Sequence, residues 1–269
     1  MIEGILSFIK ELKIRNEYLF YFGLFCFSLS IIFIVLTKFT SIQVHGVNAW
    51  FKPFKFSVSI ALFSWTMLWY CHYLPNFNVI PFNWVVIILF GFELIYIAFQ
   101  ASKGQLSHFN FNTPLYSVLY SLMGLAAVIV TLYTAYIGFL FFTQSFPNLP
   151  SYYVWSIRLG ILIFVVFSFE GGLMSSQMSH SVGAVNDNSN WWIIGWSKTV
   201  GDLRVSHFIG MHALQLLPLL SFYFFKSTKA TIIISIFYGI LATTTLVQAL
   251  NGKPIITQKN KIIGTKIEI

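Results

Sequence analysis

An all-α, polytopic membrane bundle of seven transmembrane helices is the fold class that this sequence predicts, on three observations. Apolar stretches recur along the chain at lengths that cross a hydrocarbon core, which takes about 20 helical residues at 1.5 Å each. The mean hydropathy is +0.76, with 57% of residues hydrophobic and 9% charged, whereas about a quarter of a soluble domain is charged. The apolar runs do not alternate with polar residues, which excludes the two-residue period of a membrane β-barrel. One integral membrane domain covering 1–269 is expected, because every connection but one is short.

The first crossing is expected at 18–38, behind Glu3, Lys10, Glu11, Lys13 and Arg15. No small-residue cleavage site follows it, so it reads as a retained helix rather than a signal peptide. The second, 55–74, starts just after Pro53, while the third, 81–102, and the fourth, 114–142, begin at Pro81 and Pro114. Proline suits a first helical turn, where the backbone N–H has no acceptor inside the helix. The fifth, 152–174, follows a connection containing Pro147 and Pro150. The sixth, 203–224, contains Pro218 and should kink there, freeing a carbonyl that a neighbour must satisfy. The seventh is 229–250. The one long connection, about 175–202, carries Asn186, Asp187 and Asn188 and then Trp191, Trp192 and Trp196, a composition that suits a lid or an interfacial segment.

Cys26 and Cys71 both fall inside apolar runs, so no disulfide framework or thiolate metal site is indicated. The net charge of +8 comes from basic residues spread around the membrane ends. That distribution points to anionic lipid head groups and not to nucleic acid.

Seven crossings put the first, third and fifth connections on one side of the bundle. That side receives His45, Lys52, Lys55, Lys103, His108, His180, Asp202, Arg204 and His207, with His212 about 13 Å deeper on the sixth helix. Glu93 and Glu170 lie inside apolar runs, flanked by Gln100 and Gln177. An ionisable group in the bilayer costs at least about 2.5–3.5 kcal/mol on insertion scales, so such groups normally face the bundle interior and find partners. This side carries ten Lys and Arg against six on the other, which assigns it to the cytoplasmic face of a bacterial inner membrane.

Four motifs concentrate the polar chemistry, and one of them, Glu170-Gly171-Gly172 with Gln177 and His180, is expected to line the same cavity as the other three. In the stretch from Gly201 to Gln215, Asp202 suits a helix N-cap, and Arg204 and His207 follow at helical spacing. His207 and His212 are five residues apart, about 140° around a regular helix, so they are not aimed at one ion; His212 is expected in a deeper cavity with Gln215 holding its tautomer. The second, Gln100 to Asn110, gathers Lys103, Gly104, His108 and Asn110 at a helix end. In the third, Asn48 to Ser57, Lys52 and Lys55 either snorkel to head groups or reach inward to an anionic substrate or Glu93.

The Lys-Pro-Phe-Lys-Phe, Ser-His-Phe-Asn and Gly-Asp-Leu-Arg-Val-Ser-His-Phe-Ile-Gly-Met-His-Ala-Leu-Gln segments, over residues 48–215, resemble a set of uncharacterised bacterial multi-pass membrane proteins. That resemblance implies no activity. Seven-helix membrane hydrolases of the alkaline ceramidase kind are similar more loosely, in helix count and in a histidine cluster near one face. The histidine pair on the penultimate helix here is spaced by five rather than four.

The leading expectation is a metal-dependent membrane enzyme acting on a lipidic or amphiphilic substrate. His108, His180, His207 and Asp202 would hold a divalent ion, zinc or iron, with His212 as a further metal or cofactor ligand. Glu93, Glu170 and Arg204 would carry catalysis, and Lys52, Lys55, Gln100, Lys103, Asn110, Gln177 and Gln215 would bind substrate. A haem-binding redox protein and a proton-coupled transporter or receptor are the alternatives.

Overall fold

The computed structural model describes residues 2–183 and 195–256. The amphipathic helix α1 (Ile2–Arg15) opens the chain and was not foreseen, although Phe8, Ile9 and Leu12 carry its 3.6-residue period. Asn16 ends it and caps α2 (Glu17–Phe39), its Oδ1 accepting from Leu19 N at 3.2 Å. A two-residue ladder, β1 (Gln43–Val44) with β2 (Val47–Asn48), then turns the chain into α3 (Phe51–Cys71).

Next come α4 (Val79–Ser102), capped by Asn78, and α5 (Pro114–Thr143), capped by Thr113 with Pro114 in its first turn. Helix α6 (Ser151–Phe169) breaks at Glu170 and resumes as the short α7 (Gly171–Ser176). A second ladder, β3 (Ser181–Val182) with β4 (Gly201–Asp202), leads into α8 (Leu203–Leu220), which runs on through one π-helical turn, Ser221–Phe225. Helix α9 (Thr228–Leu250) follows.

Six helical segments are long and apolar enough to cross a membrane: Glu17–Phe39, Val79–Ser102, Pro114–Thr143, Ser151–Ser176, Leu203–Phe225 and Thr228–Leu250. The expected span at 55–74 corresponds to α3, which is not among them. Serines, two tryptophans and Lys55 dilute its apolar character. Much of that polarity is inward: Ser57 and Ser64 are fully buried.

The pairs α2–α3, α6–α8 and α8–α9 run antiparallel. Helix α3 lies along α2, with Trp50 stacked on Phe33 at one end and Trp65 Nε1 donating to Phe20 O at the other. Helices α6 and α8 are in closest register: Tyr152 O accepts from Ser221, Gly160 faces the backbone of Ala213, and Gly210 packs beneath Phe167. A Cβ at Gly210 would collide with that ring. The main apolar core, with Leu19, Met67, Phe82, Phe141, Ile157 and Leu214, fills the half of the bundle near α1.

The expected consequence of Pro218 is visible. Proline has no N–H to give to the carbonyl four residues back, and that carbonyl, Leu214 O, accepts instead from the hydroxyl of Tyr70 on α3 at 2.6 Å.

Candidate functional site

The ends of α2, α4, α6 and α9 and the beginnings of α3, α5 and α8 meet in one polar cap. His45 and Gly46, both at positive φ, turn the β1–β2 hairpin. Asn48 ties that hairpin to the end of α2 by donating to Thr37 O and Thr40 O at 3.1 and 2.8 Å, and its Oδ1 accepts from Trp50 N. The first turn of α3, with Lys52 and Lys55, is thereby fixed over the bundle. On the other flank, Ser181 pairs with Asp202, and Leu203 N donates to His180 O at 2.9 Å. Gly201 lies so close to the backbone of Ala249 that a Cβ there would collide with Ala249 O.

Asp202 is the centre of this cap. Its Oδ1 accepts from Arg204 N at 3.1 Å, the expected N-cap, and from Arg204 Nε at 2.9 Å, while Oδ2 accepts from Arg204 Nη2 at 2.6 Å and Ser197 N at 2.9 Å. Arg204 also donates to Gly195 O. Burial disfavours the charge on Asp202, but the hydrogen bonds and charge of Arg204 outweigh it and hold the carboxyl below its usual range.

Lys55 Nζ and the Arg204 guanidinium flank Gly195 from two sides, and Lys52 lies within electrostatic reach of both cations. Lys52 Nζ is 3.1 Å from His108 Nδ1, with Ser107 Oγ 3.2 Å from the same nitrogen. Burial and the Lys52 charge hold the His108 imidazole well below its ordinary value. A neutral ring with its proton on Nε2 would let Nδ1 accept from Lys52 Nζ. His180 is pushed down to about 4, by burial first and then by Arg204, against the pull of Asp202; Lys52 and His45 add to the lowering.

Glu170 and His207 line the inner edge of the cap. Glu170 Oε1 accepts from the buried Ser206 hydroxyl, whereas Oε2 is buried with no hydrogen-bond partner. His207 Nδ1 donates to Phe167 O at 2.7 Å, which leaves Nε2 as the ring's acceptor in the neutral form. Deeper along α4, Glu93 is 6% exposed and its Oε1 is likewise unpartnered.

The remaining expected residues divide. Gln100 is fully buried and donates to Tyr96 Oη at 2.9 Å, with its own oxygen unpaired. Asn110 braces its loop, donating to Leu106 O and accepting from Asn112 N. Lys103 is exposed, its ammonium 4.1 Å from the Phe99 ring centre, and Gln177 is exposed at the end of α7.

His212 does not enter a deeper cavity beside Gln215. Its Nδ1 bonds Phe208 O at 2.7 Å, and its ring lies on the half-exposed Phe208 at 4.0 Å. One helical turn separates those two residues, so the imidazole satisfies its own helix. Sequence reasoning also passed over Ser206, Ser197 and Gly195, which complete the polar contacts of Glu170, Asp202 and Arg204. Ser206 carried a signal, since it follows the Asp202 cap by one turn on a helix antiparallel to that of Glu170. Of the expected lid, Asn186, Asp187, Asn188, Trp191 and Trp192 lie outside the described residues.

Among the described residues, no group of three His, Cys, Asp or Glu side chains is arranged to hold a metal ion. His108, His180, His207 and Asp202 share the cap, yet Asp202 is taken up by Arg204 and His108 faces Lys52. For haem, His212 faces Phe208, and His72 belongs to the opposite end, beside Tyr73. No family model, curated protein or solved structure matches this chain.

Proposed function

We propose that this chain is a seven-crossing protein of a bacterial inner membrane whose cap binds the anionic head group of a lipidic or amphiphilic ligand. Helix α3 is the seventh crossing in this reading. It has 21 residues, which is about 31 Å of helix, and it runs antiparallel along α2, which is itself long and apolar enough to span. The excess of Lys and Arg at the cap favours its cytoplasmic location.

The observation that carries the ligand reading is Lys52. Its ammonium is held at 3.1 Å from a neutral imidazole, not from a carboxylate, within reach of Lys55 and Arg204. Among the described residues of the cap, Asp202 is the acid in an ion pair, and it is matched to Arg204. Gathering cations at a membrane end is unfavourable unless an anion completes them, and phosphate or carboxylate head groups are the anions available there.

The test is ligand binding to detergent-purified protein by native mass spectrometry. A phosphatidate or a fatty acid should bind, and Lys52→Gln should weaken either at least tenfold, while a diacylglycerol with a neutral head should not bind. Equal retention of neutral and anionic lipids, or full affinity in Lys52→Gln, sinks the proposal.

A metal-assisted enzyme at the same cap is a second reading, favoured by the fixed tautomer of His207, which presents Nε2 for a metal or a proton. Elemental analysis of purified protein tests it: no stoichiometric zinc or iron, and no change in metal content in His207→Ala, rejects the metal.

A further inference from the structure

Glu93 lies ten residues before Lys103 on α4, about 15 Å from that end of the helix. It is 6% exposed, its Oε1 accepts no hydrogen bond, and the ion pairs among the described residues do not include it. The side chains packed around this stretch of α4 include Cys26 and Phe33 of α2, Ile60 and Ala61 of α3, and Leu119 and Met123 of α5. Cys26 is the titratable group of these apolar neighbours, and Tyr96 lies three residues on along α4 in the same cluster as Met123.

Another buried oxygen stands unpaired on the same helix: Gln100 Oε1, seven residues on along α4. A spacing of seven returns to the same helix face, so Glu93 and Gln100 are stacked two turns apart toward the cap. A carboxylate oxygen and an amide oxygen only accept. In hydrocarbon each is costly while unmet, and what meets them is a donor or a cation.

We propose that Glu93 is the carboxylate of a small monovalent-cation site inside the bundle, for a proton or sodium, entered from the cap past Gln100. This goes beyond the anion site and stands on different atoms. A cation drawn to Glu93 and an anion held at Lys52 make a protein able to couple the two.

Dicyclohexylcarbodiimide, an apolar reagent that adds to protonated carboxyl groups, tests this on the full chain in detergent, with the adduct located by peptide mass spectrometry. Glu93 should be labelled, and labelling should fall at least tenfold between about pH 5.5 and pH 8.5. For a sodium site, sodium chloride but not potassium chloride should protect Glu93 at fixed pH; for a proton site, neither salt should. In Glu93→Gln the adduct should vanish from that peptide and persist on Glu170 if that carboxyl also reacts. Labelling of Glu93 that ignores both pH and salt, or no adduct on Glu93 at any pH, overturns the proposal. Neither result depends on whether anionic lipid binds Lys52.

Discussion

The two ends of the bundle treat their polar groups in opposite ways. At the α1 end, Asn16 and Asn83 exchange reciprocal hydrogen bonds at 2.8 and 3.2 Å, and Trp69 donates to Tyr153 Oη at 3.0 Å. Arg15 pairs with Glu11 and lies over the Trp69 ring, while Arg158 caps α5 through Phe141 O and Gln144 O. Among the described residues, Arg15 Nη1 is left over there, and Ser64 Oγ, in the α1-side half of α3, is also buried without a partner. Toward the cap end, Lys55 and Arg204 lie within electrostatic reach of Asp202 with Lys52 beside them, and among the described residues buried oxygens of Glu93, Gln100, Gln105 and Glu170 have no hydrogen-bond partner. Local pairing closes the first end and stabilises the fold. The second retains buried acceptors without a partner among the described residues, which a low-dielectric interior tolerates only where something else completes them.

The sharpest way to break this contrast is at Asp202. Asp202→Ala removes an N-cap, two hydrogen bonds from the Arg204 side chain and the one from Ser197 N, and leaves a cation uncompensated. A loss on the order of 3 kcal/mol is expected, discounted from a fully buried pair because the Arg204 side chain is 32% exposed. Anionic-lipid binding should fall with it. Thermal unfolding in detergent measures the first effect, and a variant as stable as the parent would mean that the cap is not organised around this carboxylate.

Acid bears on the cap more than on the α1 end, where burial and Arg15 lower His72 in the same direction. His180 is held near 4 and His108 also well down, so the unfolded chain takes up protons below about pH 6.5 that the folded cap refuses. Stability should therefore decline as the pH falls from about 6.5 toward 4. Asp202 does not cause this decline: its folded value is depressed, so its contribution is complete above about 3.9 and is lost only at lower pH. His180→Asn should flatten the slope of unfolding midpoint against pH, and an unchanged slope would remove His180 from the account.

How far the sequence foretold these two ends follows from what each depends on. The apolar runs located α2, α4, α5, α6, α8 and α9 because run length is a local property. Connection parity brought His45, Lys52, His108, His180 and Asp202 to one end before any contact was known. The six apolar spans leave α3 aside, because its serines, tryptophans and Lys55 lower its apolarity, although Ser57 and Ser64 are buried against neighbours. Partner choice was not legible. Lys52 meets His108 rather than Glu93, and Arg204 folds back on Asp202, since such pairings depend on the rotation of each helix about its axis. His212 was misjudged for the same reason: a one-residue difference in facing separates the interior from the Phe208 side of α8.

A smaller effect tests the closed half of the bundle. Tyr70 is buried, and its hydroxyl satisfies the carbonyl that Pro218 frees. Tyr70→Phe keeps the ring and removes the donor, so Leu214 O is left unmet at a cost of about 1–3 kcal/mol. Unfolding should shift by that amount with lipid affinity at Lys52 unchanged. If affinity fell as far as stability, the two halves would be one cooperative unit and the contrast between them would lose its meaning.

The smallest expected effect is at Lys103, which shares the cap's end of the bundle and was expected to bind substrate. Its side chain is exposed, and its ammonium sits 4.1 Å from the Phe99 ring centre. An exposed cation over an aromatic face contributes about 0.5–1 kcal/mol, so Lys103→Ala should cost no more than that in stability. If ligand affinity comes from cations held inside the cap, it should be unchanged in this variant and at least tenfold weaker in Lys52→Gln. If it comes from the diffuse positive field of that membrane face, both substitutions should weaken binding similarly, and raising the salt concentration should abolish it in both. Measuring the two variants at two ionic strengths therefore separates a built anion site from a basic surface.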